Sequence, residues 1–169
     1  MNDQHLKYKH ILNIGIASLT ALSLGACSNQ QTVNFSVLKE SSQCRTPHPK
    51  ISQLSTSQEQ DNLIRSMSSF KGQTKQNALI DLIQTHAKSE SLFLISQGQK
   101  PTTGYGFTIL SNTGSLIENT LTLPITFTSP EPGSMRAQMI TNPCLVIGID
   151  SKAQYDLLLI DNLELSISK

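Results

Sequence analysis

The sequence is poor in aromatics and in charge. Aromatic residues make up 5% of its 169 residues, tryptophan is absent, and charged residues reach only 15%. Lys and Arg number 13 against 12 Asp and Glu. That leaves no basic surplus to neutralise phosphates, which argues against nucleic acid as the main partner. Apolar residues are few, at 37%. Disorder usually pairs low hydrophobicity with high net charge, whereas this chain is neutral and rich in Ser, Thr and Gln. There are three cysteines and no C-x-x-C pair, so the closely spaced, low-pKa thiol of a redox catalyst is missing. G-x-S-x-G, H-E-x-x-H, the P-loop and the EF-hand loop are missing too. No cofactor is implied. The length fits one domain of ordinary size.

What is present begins with an address. Lys7, Lys9 and His10 form a short basic region. Ile11 to Leu24 is a mostly apolar stretch of 14 residues, within the range of a signal peptide and short of the roughly 20 needed to span a bilayer. It ends in Leu24-Gly25-Ala26-Cys27, which resembles a bacterial lipobox. The resemblance implies that residues 1–26 are a lipoprotein signal peptide. Cys27 then becomes the first mature residue and carries acyl chains such as palmitate, which hold the protein to a membrane at roughly 0.8 kcal/mol per buried CH₂. Ser28 follows where Asp would favour the inner membrane, so the outer membrane is expected. Residues 27–31 form the lipidated tether. Cleavage before Cys27 leaves 143 residues with 11 basic and 11 acidic groups, a balance that offers little electrostatic steering.

Two cysteines remain, Cys44 and Cys144. In an exported protein a disulfide is the default reading. Two buried thiols and a metal pair are the alternatives, the second weakened because neither His48 nor His86 has ligand spacing to a cysteine.

The mature chain reads as a strand, two helices and about six further strands. Val33, Phe35 and Val37 alternate as a first strand, and Arg45 to Gln53 reads as a loop around Pro47-His48-Pro49. Thr56 and Glu59 fit a capping box before an amphipathic helix through Leu63, Met67 and Phe70, ended by Lys71-Gly72. Ala78, Leu79, Leu82, Ile83 and His86 suggest a second helix. Leu92 to Ile95 is a buried strand. Gly98 to Gly104 is a turn, and Tyr105, Phe107 and Ile109 share a strand face. Asn112-Thr113-Gly114 is a turn signal. Leu121 to Phe127 reads as one long strand, its Pro124 marking an edge or a position without a ladder donor. Such an edge would be open to an added peptide strand or would be protected. Ser129 to Gly133 is a rigid turn and Arg136 to Thr141 a strand candidate. On it Met135 and Met139 share a face that is expected to pack into the core. Cys144 to Ile149 is a buried strand, and Leu157 to Ile167, around Asp161-Asn162, a closing hairpin or one long strand. The fold class is α+β, a mostly antiparallel sheet with one or two short helices in its N-terminal half, over a single domain of residues 32–169.

Catalytic chemistry finds little to use. His86 lies on an apolar helical stripe and reads as a packed or boundary residue. An enzyme would need it within reach of a serine and a carboxylate in a cleft. His48 reads as solvent-facing. Asp150, Asp156 and Asp161 sit at strand ends and turns, where Asp commonly bonds local backbone.

The sequence Gly98-Gln99-Lys100-Pro101-Thr102-Thr103-Gly104-Tyr105 is followed by Ser129-Pro130-Glu131-Pro132-Gly133 and Thr141-Asn142-Pro143. Together these resemble the PrcB-type domain, a family named after a subunit of a bacterial surface protease complex, best over residues 91–150. Thr103 stands where the family usually has a glycine, so positive φ is not expected there. The resemblance implies a non-catalytic accessory or binding role beside an envelope protein such as a protease complex. A small-ligand or glycan-binding lipoprotein and an enzyme of unknown type stand as alternatives. The turn of Lys100, Pro101, Thr102, Gly104 and Tyr105 is the candidate binding element, against a purely structural Pro-Gly turn in which Tyr105 caps the core.

Overall fold

The computed structural model describes residues 30–67 and 73–167. The signal segment, Cys27 and most of the tether lie outside the described residues, as do Phe70, Lys71 and Gly72. Strand β1 (Gln31–Ser41) is longer than its alternating run, and it buries Val33 and Phe35. The expected loop after it holds a strand, β2 (Pro49–Gln53). Prolines at 47 and 49 mask it in the sequence, yet Pro49 needs no ladder donor at the strand's first residue.

Helix α1 (Ser57–Met67) starts at the expected capping box. The Glu59 amide donates to Thr56 Oγ1 at 3.2 Å, and the Thr56 amide donates to Glu59 Oε2 at 2.9 Å. The Thr56 backbone bond, reinforced by its hydroxyl, holds the Glu59 carboxyl below its ordinary range. Helix α2 (Gln73–His86) ends just beyond the midpoint of the chain, so the helices are not confined to the N-terminal half.

Eight strands follow where about six were expected: β3 (Glu90–Gln97), β4 (Gly106–Ile109), β5 (Thr113–Ile117), β6 (Thr120–Leu123), β7 (Ile125–Thr128), β8 (Cys144–Asp150), β9 (Leu157–Ile160) and β10 (Leu163–Ser166). Three readings are corrected. The Asn112-Thr113-Gly114 turn signal leads into β5, and the chain reverses instead at Glu118-Asn119, both at positive φ (48° and 66°) as a tight hairpin requires. The long strand through Leu121 and Phe127 breaks at Pro124 into β6 and β7, which belong to different sheets. Arg136 to Ile140 forms no strand. Leading out of a Pro-Gly turn and lacking β-branched residues before Ile140, it stays extended coil.

One sheet has the order β10-β9-β6-β5-β1-β8-β3-β2, and β4 pairs with β7 in a second. All neighbours are antiparallel except β6 and β9. Edge strands β2 and β10 lie against each other, so the large sheet curls round. β6 is flanked on both sides and offers no open edge.

Strands β3 and β8 show why the fold has two apolar layers. Their continuous apolar runs are buried on both faces. Phe93, Ile95, Leu145, Ile147 and Ile149 join the inner cluster with Leu121, Leu158 and Ile160. The alternate residues Leu92, Leu94, Cys144 and Val146 join an outer cluster beneath Leu63, Ile64, Met67, Leu79 and Ile83 of the helices. Full burial of each such side chain contributes about 1.5–3 kcal/mol. Cys44 and Cys144 are disulfide-bonded within the outer layer, with Cα atoms 6.0 Å apart.

Candidate functional site

The turn after β3 and the loop before β8 are built against each other. Gln97 anchors the start: its buried side chain donates from Nε2 to the Gly106 carbonyl. Lys100 and Thr141 then exchange backbone bonds of 2.8 and 2.9 Å. Thr141 Oγ1 donates to the Thr102 carbonyl at 3.1 Å, and the Thr103 amide to the Ala137 carbonyl at 3.2 Å. Gly104 has φ of 96°, a conformation that favours glycine. A Cβ there would stand 3.2 Å from Pro130 Cγ and 3.3 Å from Arg136 Nε. Thr103 avoids positive φ, as expected. The Lys100 ammonium lies 5.2 Å from the centre of the half-buried Tyr105 ring, within cation–π range.

Residues 98–105 and 129–141 therefore form one lobe. Lys100, Pro101, Thr102, Gly104 and Tyr105 all lie in it, together with the Pro-Glu-Pro-Gly turn that is 30 residues further along the chain. Residues 92–150 match the family described as PrcB C-terminal. The match begins one residue after the start of the resemblance and ends with it. No curated protein and no solved structure matches the chain. The PrcB-type segment starts on β3 and ends on β8, which are paired neighbours with Leu92 opposite Gly148. It thus closes on itself, and the lobe projects from its far end.

The lobe exposes apolar side chains. Met135 is 98% exposed, Met139 51% and Ile140 59%. The expected packing of both methionines into the core is overturned, because the segment that carries them is not a strand and lies over no apolar layer. Ser134 and Glu131 hold its approach, with Ser134 Oγ donating to the Glu131 carbonyl at 2.7 Å.

A second group of polar residues gathers at the middle of β1, where Ser36 pairs with Gly148 of β8 and β3 begins at Glu90. Ser36 Oγ donates to Glu90 Oε2 at 2.8 Å, and His86 Nδ1 lies 2.7 Å from the same oxygen. Glu90 fits because residue 148 is glycine: a Cβ there would overlap its carboxylate. His86 thus reaches a carboxylate, and a serine is close by. The carboxylate stands between them, however, whereas nucleophilic catalysis places the imidazole between serine and acid. Neither Ser36 nor Glu90 was singled out from the sequence. The His86–Glu90 spacing of four was the available signal, since such residues meet at a helix end. Among the described residues no group of three or more potential ligands is placed to hold a metal. His48 is exposed, as expected. Asp150 accepts its local amide, Lys152 N–H at 3.0 Å, but Asp161 instead accepts the distant Phe127 amide.

Proposed function

We propose that this protein is an outer-membrane lipoprotein acting as a non-catalytic accessory to another envelope protein, such as a protease complex. The lobe of residues 98–105 and 129–141 is the face that meets its partner. Residues 1–26 direct export, Cys27 carries the lipid, and residues 32–169 form the domain. The observation that carries the reading is that the PrcB-type segment brings its two characteristic turns into one lobe with exposed methionines. Flexible, polarizable methionine suits a surface that packs against another protein.

Geometry supports this placement. The four residue steps from Cys27 to Gln31 reach at most about 14 Å from the membrane. The lobe is bonded to the other end of β1, where the Asn142 amide donates to the Ser42 carbonyl at 2.7 Å. The strand's 11 residues put that end about 35 Å from the tethered one. The lobe therefore lies at the end of β1 away from the anchor.

Affinity capture of the tagged protein from crosslinked intact envelopes tests the reading. It should enrich one exported protein, and Cys27→Ala should abolish palmitate incorporation. Capture of no protein partner would count against the accessory role, and labelling that survives Cys27→Ala would count against the anchor.

A further inference from the structure

We infer that the cleft beside the start of β3 and the end of β8 binds a small zwitterion, a molecule carrying an amine and an anionic group a few bonds apart. The cleft has a volume of about 550 Å³ and is lined by Asn34, Ser36, Lys88, Glu90, Asp150 and Lys152, among others. That size suits an amino-acid-sized or headgroup-sized ligand.

Its charges come in two pairs of opposite sign, and they are not consumed by one another. The ammonium groups of Lys88 and Lys152 have no partner among the described residues, and both residues are exposed. Glu90 uses only Oε2, for Ser36 and His86. Asp150 uses only Oδ1, for the Lys152 amide. Each carboxylate keeps a second oxygen without a described bond. A lone anion drawn to the lysines is repelled by the two carboxylates, and a lone cation meets the converse. A short molecule with both charges satisfies both pairs, through the charge-assisted bonds that are the strong ones. The floor is preorganised, because Ser36, His86 and the bare Gly148 fix the Glu90 carboxylate before any ligand arrives.

Asn34 to Ser36 run from the fourth residue of β1 to its midpoint, in the half of the strand that follows the tether. If the anchor reading holds, ethanolamine phospholipid headgroups are the nearest source of this chemistry; free amino-acid-like zwitterions in solution are the other.

The purified full chain in detergent micelles is titrated with O-phosphoethanolamine, ethanolamine and inorganic phosphate, with amide NMR shifts of Ser36, Ser89, Gly148 and Ser151 as readout. O-phosphoethanolamine should bind at least about tenfold more tightly than either half. Lys152→Gln and Glu90→Gln should each weaken it about tenfold, and Lys100→Gln in the lobe should change nothing. Phosphate binding as tightly as O-phosphoethanolamine, or Lys152→Gln leaving affinity unchanged, would overturn the proposal. Nanodiscs then separate the sources. Shifts of the same amides in phosphatidylethanolamine discs but not phosphatidylglycerol discs assign the lipid, and their absence beside a positive titration assigns the free zwitterion. Cys27→Ala should leave the soluble titration intact, so failure of the anchor and failure of the cleft are read separately.

Discussion

Removing the Cys44–Cys144 bridge tests how much the outer apolar layer depends on a covalent link to the sheet. It joins the loop after β1 to the head of β8, across a sequence separation of 100. Closing a loop of that length removes denatured-state entropy worth about 4.7 kcal/mol in the chain-entropy model. Cys44 is 2% exposed and Cys144 fully buried, both packed in the outer cluster with Leu54, Leu63 and Leu94. The Cys44→Ala/Cys144→Ala double variant therefore also loses buried sulfur contacts, whose effect adds to the entropic one. Measured losses for native bridges run at about 2–5 kcal/mol, which corresponds to roughly 4–20 °C in Tm for a chain of this size. The assay is urea unfolding by far-UV circular dichroism of the protein and the double variant, each with and without reductant. Reductant should lower the protein's midpoint nearly to that of the variant and leave the variant unmoved. The variant's m value should rise, since its denatured chain is no longer cross-linked. A loss below about 1 kcal/mol, or a reductant effect that persists in the variant, would refute the reasoning.

Other sites give further outcomes. Gly98 has φ of 73°, and a Cβ would stand 2.8 Å from the backbone of His48 and Pro49. Gly98→Ala should therefore cost at least about 1–3 kcal/mol by thermal unfolding. Thr56→Ala removes the α1 cap and should cost about 1 kcal/mol in urea unfolding. The capping contribution of Glu59, whose carboxyl is held low, is present above its unfolded value of 4.5 and fades as pH falls through the lower folded value. Burial pushes the Tyr155 phenol up to about 12 from 10.0. Its contribution is full below pH 10.0 and is lost as pH rises through about 12. Stability should thus fall on the alkaline side, and Tyr155→Phe should flatten that fall.

Much of the fold was legible where the determinants are local. Thr56 and Glu59 are three residues apart and satisfy each other's backbone, so their pattern names a helix start without reference to the rest of the chain. The apolar runs of β3 and β8 declare burial on both faces by composition alone. Legibility ended where distant partners decide. Asn112-Thr113-Gly114 has turn chemistry, yet residues 113 and 114 pair with Asn34 and Val33 of β1, and Leu121 and Leu123 close over the space that a side chain at 114 would fill. Leu121 to Phe127 alternates as one strand, and only the two-sheet topology shows that Pro124 is a corner. β2 exists because β3 offers it an edge, which no residue in Pro49–Gln53 announces.

The candidate site divides the same way. The turns of the lobe were visible as short motifs, and their order along the chain signalled the PrcB-type segment. That Met135 and Met139 face solvent is not visible in the sequence, because their even spacing mimics a strand in a stretch that pairs with the turn after β3 by only a few bonds. Ser36 and Glu90 are 54 residues apart, and nothing in either neighbourhood points to the other.

The accessory role stands or falls on what the lobe touches in an intact envelope. A photo-crosslinking amino acid placed singly at Met135, at Met139 and, as a control, at Glu118 on the β5–β6 turn makes that measurable. The lobe positions should yield one shared crosslinked band containing an exported protein, and Glu118 should not. No protein adduct from Met135 and Met139, or the same adducts from all three positions, would contradict the lobe as the partner face.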